Sequence, residues 1–110
     1  METSTITKSE TKVKYKKPNR WKIIFHNDDK TTMEYVVLLL KMVFEKDDKT
    51  ANELMMKVHK EGCAVVGLYT KERADQLLQM ATAFKLRYNE VIKAVGDTHF
   101  SMLKITMEEE

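Results

Sequence analysis

The stretch that decides the fold is WKIIFHNDDKTTME, residues 21–34. Apolar and polar side chains alternate over 21–26, and this period-two pattern of β-prone residues predicts a strand. The polar run over 27–30 predicts a turn. Thr31 is followed three residues later by Glu34, which is the pattern of a capping box. The stretch therefore predicts a strand, a tight polar connection and a helix capped by Thr31.

Two helices are predicted directly after this connection. Apolar residues recur at helical spacing from Met33 to Phe44, and the polar run over 46–49 ends that helix. Asp48 is placed to cap a second helix, whose apolar face consists of Ala51, Leu54, Met55 and Val58. Gly62 follows at the position where helices commonly end in a left-handed residue.

The rest of the chain continues with a strand, a helix and a strand. The apolar run 63–69 predicts a second, largely buried strand. Thr70 is predicted to cap a third helix that extends to about residue 89, and 96–99 to form a turn. The last strand is predicted over 103–107. The order β-α-α-β-α-β therefore predicts a single α/β domain of the α+β type, in which a three-stranded sheet packs against three helices.

The N-terminal segment differs in charge from the rest of the chain. Residues 1–22 carry seven Lys or Arg and two Glu, a net charge of +5, so the remaining residues sum to −3 within the total of +2. The first 18 residues are mostly Thr, Ser, Lys and Glu, and they contain too few apolar side chains to offset the entropy of ordering. We therefore expect a flexible basic arm over 1–19 and a folded domain over 20–110.

The composition restricts the classes of protein that fit. The 110 residues suffice for one small domain, with 43% hydrophobic and 33% charged residues. The sequence shows no apolar stretch of the length that a secretion signal or a membrane span requires. Cys63, the single cysteine, has no partner for an internal disulfide or a cysteine-cluster zinc site, and within an apolar strand it is expected to be a small core residue. A reducing cytoplasm is the expected location.

A polar cluster follows the first strand and consists of His26, Asn27, Asp28 and Asp29. Such residues either form a solvated turn or bind a cation, and their spacing does not match a calcium loop. His59 lies at the border of the apolar face of the second helix. It is compatible with a half-buried core histidine or with a ligand-binding residue, but no other histidine stands at zinc-site spacing.

Methionine is frequent in this chain, with eight in 110 residues, and four of them fall in the first two predicted helices: Met33, Met42, Met55 and Met56. Methionine either fills gaps in a core or lines an adaptable pocket. If the two helices form a hairpin, an apolar hollow beside Met33 and Met55 ends at a rim of acceptors from Asn27, the adjacent carboxylates and His59. A primary ammonium, with three donors and no acceptor, complements such a rim.

Two other classes of function are compatible with the residues alone. The basic arm fits a nucleic-acid-binding module, although the rest of the chain is net negative and lacks a basic stripe with interleaved aromatic residues. A small metal-dependent hydrolase would use His26, Asp28, Asp29 and His59. A steep salt dependence of nucleic-acid binding would support the first class, and a stoichiometric bound metal would support the second.

Four short motifs occur in order along the chain: NDDxTxME at 27–34, LMxxVHxxG at 54–62, GxYTxE at 67–72 and LKITME at 103–108. In this order and at these separations they closely resemble the ClpS family, bacterial adaptors that deliver N-degron substrates to an AAA+ protease. The resemblance covers about residues 20–108. It implies an α/β fold of three strands and three helices, consistent with the order predicted from periodicity.

The resemblance also implies a function. A ClpS-like protein recognises a free N-terminal Phe, Tyr, Trp or Leu, and it is an adaptor that needs no cofactor and carries no catalytic residues. Contacts to the α-amino group, direct or through water, would come from Asn27, Asp28, Asp29 and His59. The side-chain pocket would be formed by Thr31, Met33, Met55, Val58 and Leu103. Met33 would exclude β-branched first residues by its shape.

The resemblance further implies a partner, the N-terminal domain of a ClpA-type or ClpC-type unfoldase that works with ClpP. Glu72 matches a position that touches this domain, and the basic arm resembles an extension needed for substrate handover. The implied protein is a monomer that binds neither nucleic acid nor membrane. Two positions depart from the family pattern. Thr32 stands where proline is frequent at the first helical position, and Leu77 stands where some members carry a lysine at the unfoldase contact.

Overall fold

The computed structural model describes residues 19–110 and contains three strands and three helices. In chain order the elements are β1 (Trp21–His26), α1 (Met33–Met42), α2 (Asp48–Glu61), β2 (Cys63–Tyr69), α3 (Lys71–Ala94) and β3 (Lys104–Glu109). The predicted element order and the α+β fold class are confirmed. The predicted basic arm, 1–19, lies outside the described residues except for Asn19.

The three strands form one antiparallel sheet in the order β2-β1-β3. β1 is central, and its inward side chains Ile23 and Phe25 are fully buried. At the end of β1, His26 pairs with Cys63 on one side and with Lys104 on the other. The chain after His26 therefore leaves the sheet from a position that both neighbouring strands hold in place.

β2 contains a local irregularity beside Gly67. Ile23 pairs with Gly67 and Ile24 pairs with Val65, so Val66 is an extra residue in β2. A Cβ atom at Gly67 would lie only 2.7 Å from the hydroxyl oxygen of Tyr69. The aromatic ring of Tyr69 thus occupies the space that a side chain at Gly67 would need.

The core lies where the helices pack against the sheet. Leu39 and Leu40 of α1 are fully buried, and Phe25 meets Phe44 edge to face with ring centroids 5.4 Å apart. Leu77 of α3 is only 1% exposed. Leu77, which departs from the family pattern described above, is therefore a core residue in this protein.

Two of the predicted helix caps are wrong by one residue. Thr32, not Thr31, caps α1, and its Oγ1 accepts a hydrogen bond from the Tyr35 backbone N at 3.1 Å. Asp47, not Asp48, caps α2. In both places two adjacent residues are of the capping type, and the cap is the one with extended backbone that lies three residues before a free amide.

The other two predicted helix ends are confirmed. Thr70 caps α3, and α2 ends at Gly62, whose φ of 90° lies in the left-handed region. α3 is longer than predicted and continues to Ala94, because Ile92 is buried and extends its apolar contacts past residue 89.

β2 is less buried than predicted. Ala64 and Val66 are buried, whereas Cys63 and Val65 are exposed, so the strand alternates as an edge strand with one covered face. The prediction that Cys63 is a core residue is therefore wrong. Within residues 19–110, no helix combines the length and the apolar character required to cross a bilayer.

Candidate functional site

A cavity of about 490 Å³ opens where the end of β1 meets α1 and α2. Most of the residues that the sequence grouped as a site line this cavity: Asn27, Asp28, Asp29, Thr31, Met33, Met55, Val58 and His59. It is also lined by residues that the sequence did not single out: Lys30, Thr32, Val36 and His99. The cavity is called the pocket from here on.

Asp28 organises the loop between β1 and α1. Its Oδ1 accepts hydrogen bonds from the backbone N of Lys30 and of Thr31, and its Oδ2 accepts one from Thr31 Oγ1, all at 2.7 Å. Partial burial alone would raise the pKa of Asp28, but these hydrogen bonds outweigh it and hold the pKa below its ordinary value. Asp28 therefore shapes the loop and places a negative charge beside the pocket.

Thr31 joins this loop to the segment before β3. Its Oγ1 donates to Asp28 and also accepts a hydrogen bond from the backbone N of Met102 at 2.8 Å. Leu103 follows directly, but it is buried and lines a different cavity, of about 330 Å³, beside Tyr35. The structure thus brings Thr31 to the pocket and places Leu103 behind it.

Asn27 and His59 line the same pocket because the end of β1 is hydrogen-bonded to the end of α2. The backbone N–H of Asn27 donates to the carbonyl oxygen of Gly62 at 2.9 Å. His59 lies in the last turn of α2, just before Gly62, and is therefore carried to the same mouth as Asn27. The side chains of Asn27, Asp29 and His59 are exposed, so their acceptor atoms are open to a ligand.

The opposite part of the pocket is apolar. Val36 of α1 and Val58 of α2 are buried at its base, and Met55 is half-buried. Met33, the first residue of α1, is 43% exposed and lines the accessible part. Acceptors at one end and apolar groups at the other suit a ligand that combines a cation with an apolar side chain.

His99 adds a further wall from the loop between α3 and β3. Its Nδ1 lies 2.7 Å from Asp97 Oδ1, and its backbone N–H donates to the same oxygen at 2.8 Å. The sequence predicts a turn over 96–99, but this prediction does not show in which direction the chain continues after the turn. The hydrogen bond between Met102 and Thr31 is a long-range contact that brings this part of the chain back to the pocket.

Besides Leu103, two other residues singled out in the sequence lie away from the pocket. Glu72, in the first turn of α3, lines a separate surface hollow together with Thr70 and Arg73. The imidazole Nε2 of His26 is 2.7 Å from Thr106 Oγ1 on the sheet, and His26 does not line the pocket. Across residues 19–110 there is no group of three His, Cys, Asp or Glu side chains arranged to hold a metal ion.

The sequence matches a known family over most of its length. Residues 16–94 match the family described as ATP-dependent Clp protease adaptor protein ClpS. The ATP-dependent Clp protease adapter protein ClpS of Myxococcus xanthus is 40% identical over 82 residues, which cover 74% of this chain and 77% of the relative. The protein of the same name from Acetivibrio thermocellus is 47% identical over 74 residues, covering 67% of this chain and 75% of the relative.

A solved structure resembles the fold. The structure of Agrobacterium tumefaciens ClpS2 bound to L-phenylalaninamide superposes with a TM-score of 0.65 and 31% sequence identity, covering 86% of this chain and 100% of the other. Its sheet and helices correspond to the α+β arrangement described above. From the family match and the identities with its relatives, the chain belongs to the ClpS family of ATP-dependent Clp protease adaptor proteins.

Proposed function

We propose that this protein binds the free N-terminal residue of other proteins, when that residue is Phe, Tyr, Trp or Leu, and delivers them to an AAA+ unfoldase. The observation that carries the proposal is a single pocket of about 490 Å³ that combines the exposed acceptors of Asn27 and His59 with the apolar wall at Met33 and Val58. The relative from A. tumefaciens holds L-phenylalaninamide, which has a free amino group and an apolar side chain. That ligand supports the same use of the pocket here.

Both halves of the pocket are needed for useful affinity. Burying a Phe or Leu side chain contributes about 1.5–3 kcal/mol. Each charge-assisted hydrogen bond to an ammonium contributes about 1.5–3 kcal/mol before desolvation. Micromolar binding requires about 8 kcal/mol, which the apolar half does not reach and which three hydrogen bonds reach only at the upper end of this range, before the cost of desolvation is subtracted. An internal Phe or Leu has no α-ammonium, and the protein should therefore ignore it.

The residues at the rim of the pocket are proposed to have two different roles. Asn27, Asp29 and His59 present exposed acceptors, so they are proposed to receive the three N–H donors of the α-ammonium, directly or through water. The carboxylate oxygens of Asp28 already accept hydrogen bonds within the loop. Asp28 is therefore proposed to act on the ammonium mainly through its charge and through the position of the loop.

The test of ligand choice is a fluorescence-anisotropy panel of peptides that differ only in their first residue. Peptides that begin with Phe, Tyr, Trp or Leu are expected to bind in the micromolar range or tighter. Peptides that begin with Ser, Lys or Asp are expected to bind at least about tenfold more weakly, because a polar or charged group would enter an apolar cavity. Equal affinities across the panel would overturn the proposal.

The proposed adaptor role also requires an unfoldase partner. The relatives are named Clp protease adapter proteins, and we propose a ClpA-type or ClpC-type N-terminal domain as the partner and ClpP as the protease behind it. Glu72 is exposed in the first turn of α3, which suits a contact with such a domain. The adaptor is proposed to act as a monomer in the cytoplasm without catalysis, with the arm 1–19 used in handover.

The docking contact is tested by titrating the N-terminal domain of the unfoldase with the Glu72→Ala variant of this protein and with a matched control variant, Glu53→Ala. Glu53 is an exposed glutamate on α2. Only Glu72→Ala is expected to weaken docking. Equal affinities for the two variants would remove Glu72 from the contact.

A further inference from the structure

A second cavity lies between α3 and β3 and is called the α3–β3 cavity from here on. It has a volume of about 330 Å³ and shares no lining residue with the pocket. Its walls include Leu78, Ala81 and Lys85 from α3 and Leu103, Lys104 and Ile105 from the chain that enters β3. The three α3 residues follow one another at spacings of three and four, so they share one face of the helix.

β3 borders this cavity as an edge strand. Within residues 19–110 it pairs only with β1, so the backbone groups along its other edge have no strand partner. Ile105 and Met107, two residues apart on β3, pack against the core but are only half-buried. Extended peptides commonly add to such a sheet edge. A peptide that pairs with β3 places every second side chain over the α3–β3 cavity.

The two lysines lie at the same end of the cavity. The backbone N–H of Ser101 donates to Asn89 Oδ1 at 2.9 Å, so this part of α3 lies beside the segment that leads into β3. Lys85 is one turn before Asn89 on α3, and Lys104 follows Ser101 by three residues. Leu78 lies seven residues before Lys85, about 10 Å farther along the helix. The cavity therefore has a cationic end and an apolar end.

The cationic end is available to an anion. The ion pairs among the described residues involve neither Lys85 nor Lys104. Each ammonium carries three hydrogen-bond donors and no acceptor, which complements a carboxylate. The pocket has the opposite chemistry, because acceptors surround its mouth. A ligand of the α3–β3 cavity should therefore combine an apolar group with a negative charge.

We propose that the α3–β3 cavity and the free edge of β3 together bind the C-terminal residue of another protein when that residue is apolar. Its side chain enters the cavity opposite Ile105, and its carboxylate meets Lys85 and Lys104. Because Lys104 is the first residue of β3, the preceding residues of the bound chain run antiparallel along this strand. The inference is independent of the proposed function, since the pocket takes no part in it.

The test measures fluorescence anisotropy with a peptide whose N-terminus is blocked by the fluorophore and whose last residue is a leucine with a free carboxylate. The comparison peptides end in leucine amide or in serine with a free carboxylate. They are titrated with the full chain, with Lys85→Gln and with Lys93→Gln. Lys93 is the matched control, because it is an exposed lysine of α3 that does not line the cavity.

We expect the peptide with the free leucine carboxylate to bind at least about tenfold more tightly than either comparison peptide. Lys85→Gln should remove the advantage over the amide, and Lys93→Gln should retain it. Equal affinities for the carboxylate and the amide, or an advantage that survives in Lys85→Gln, would overturn the inference.

Competition and sedimentation distinguish other occupants. Isocaproate has the side chain and the carboxylate of leucine without a peptide backbone, and it should bind at least about tenfold more weakly than the peptide. Equal binding would show a site for free acids that does not use β3. Displacement of the peptide by L-phenylalaninamide would place it in the pocket, and a protein dimer that the peptide dissociates would assign the edge to a second copy. Each of these three results would contradict the inference.

Discussion

The hydroxyl of Thr31 donates a hydrogen bond to Asp28 Oδ2 at 2.7 Å. Thr31 Oγ1 also accepts a hydrogen bond from the backbone N–H of Met102, 71 residues later in the chain, at 2.8 Å. One hydroxyl group therefore joins the loop at the mouth of the pocket to the segment that leads into β3. We therefore expect the shape of the pocket to depend on this hydroxyl group.

Thr31→Val tests this role, because valine has nearly the same shape but neither donates nor accepts. We expect the variant to lose about 1–2 kcal/mol of unfolding free energy and to bind L-phenylalaninamide several-fold more weakly, since two hydrogen bonds are broken. Urea unfolding and calorimetry measure the two effects. The control is Thr82→Val, which removes an exposed hydroxyl that donates to Leu78 O within α3. Equal effects on binding from the two variants would contradict the role.

The lowered pKa of Asp28 predicts how the free energy of unfolding depends on pH. Hydrogen bonds outweigh the effect of partial burial and lower the pKa of Asp28 in the folded protein below its ordinary value of 3.8, so the ionised form favours folding. This contribution is fully present above the pKa of the unfolded chain and is lost as the pH falls through the lower pKa of the folded state. We expect Asp28→Asn to cost about 1 kcal/mol at pH 7, a modest value because the site is partly open to solvent.

The difference between Asp28→Asn and the unaltered protein should therefore shrink below about pH 4. Urea unfolding at pH 7, 5 and 3 gives this difference directly. A gap that grows on acidification would show that ionised Asp28 does not stabilise the loop.

His59 is expected to be a principal acceptor for the ligand ammonium. His59→Ala should weaken binding at least about tenfold, equivalent to 1.4 kcal/mol, while the fold survives because the side chain is exposed. Calorimetry measures the affinity and circular dichroism the fold. Lys60→Ala, at the next exposed position of α2, is the control. Unchanged affinity in His59→Ala removes this residue from the site.

Met33 is expected to set the choice of first residue. Met33→Ala should enlarge the accessible part of the pocket and admit peptides that begin with Ile or Val, which the unaltered protein is expected to reject by steric conflict. Anisotropy with Phe, Leu, Ile and Val peptides compares the two proteins. Met42→Ala is the control, since Met42 lies on the same helix outside the pocket. Identical discrimination in all three proteins would leave Met33 as a packing residue only.

Most of the fold follows from local patterns, because alternation and helical spacing report directly on which side chains are buried. The errors occur where local patterns compete or where tertiary position decides. Thr31 and Thr32 both qualify as caps, and only the course of the loop assigns the role to Thr32. Cys63 is exposed because it lies on the uncovered face of β2, and the apolar run alone does not reveal that only one face is covered.

The lining of the pocket was predictable where its residues are close in sequence or belong to a recognised motif. Asn27, Asp28 and Asp29 follow one strand, and His59 belongs to the motif on α2. His99 was missed because its loop is positioned by distant contacts. Ser101 N donates to Asn89 Oδ1 at 2.9 Å, and Met102 N donates to Thr31, so the loop is set by partners 12 and 71 residues away. The periodicity of apolar residues in the sequence does not reveal hydrogen bonds between such distant positions.

The most direct measurement compares one Phe-initiated peptide with its N-acetylated form by calorimetry. Acetylation leaves the aromatic ring unchanged and removes the positive charge and its donors. If the acceptors at the mouth of the pocket hold the ammonium, the acetylated peptide should bind at least about a hundredfold more weakly, which corresponds to the loss of two charge-assisted hydrogen bonds. Equal affinity for the two peptides would contradict the assignment of this pocket to the free N-terminus.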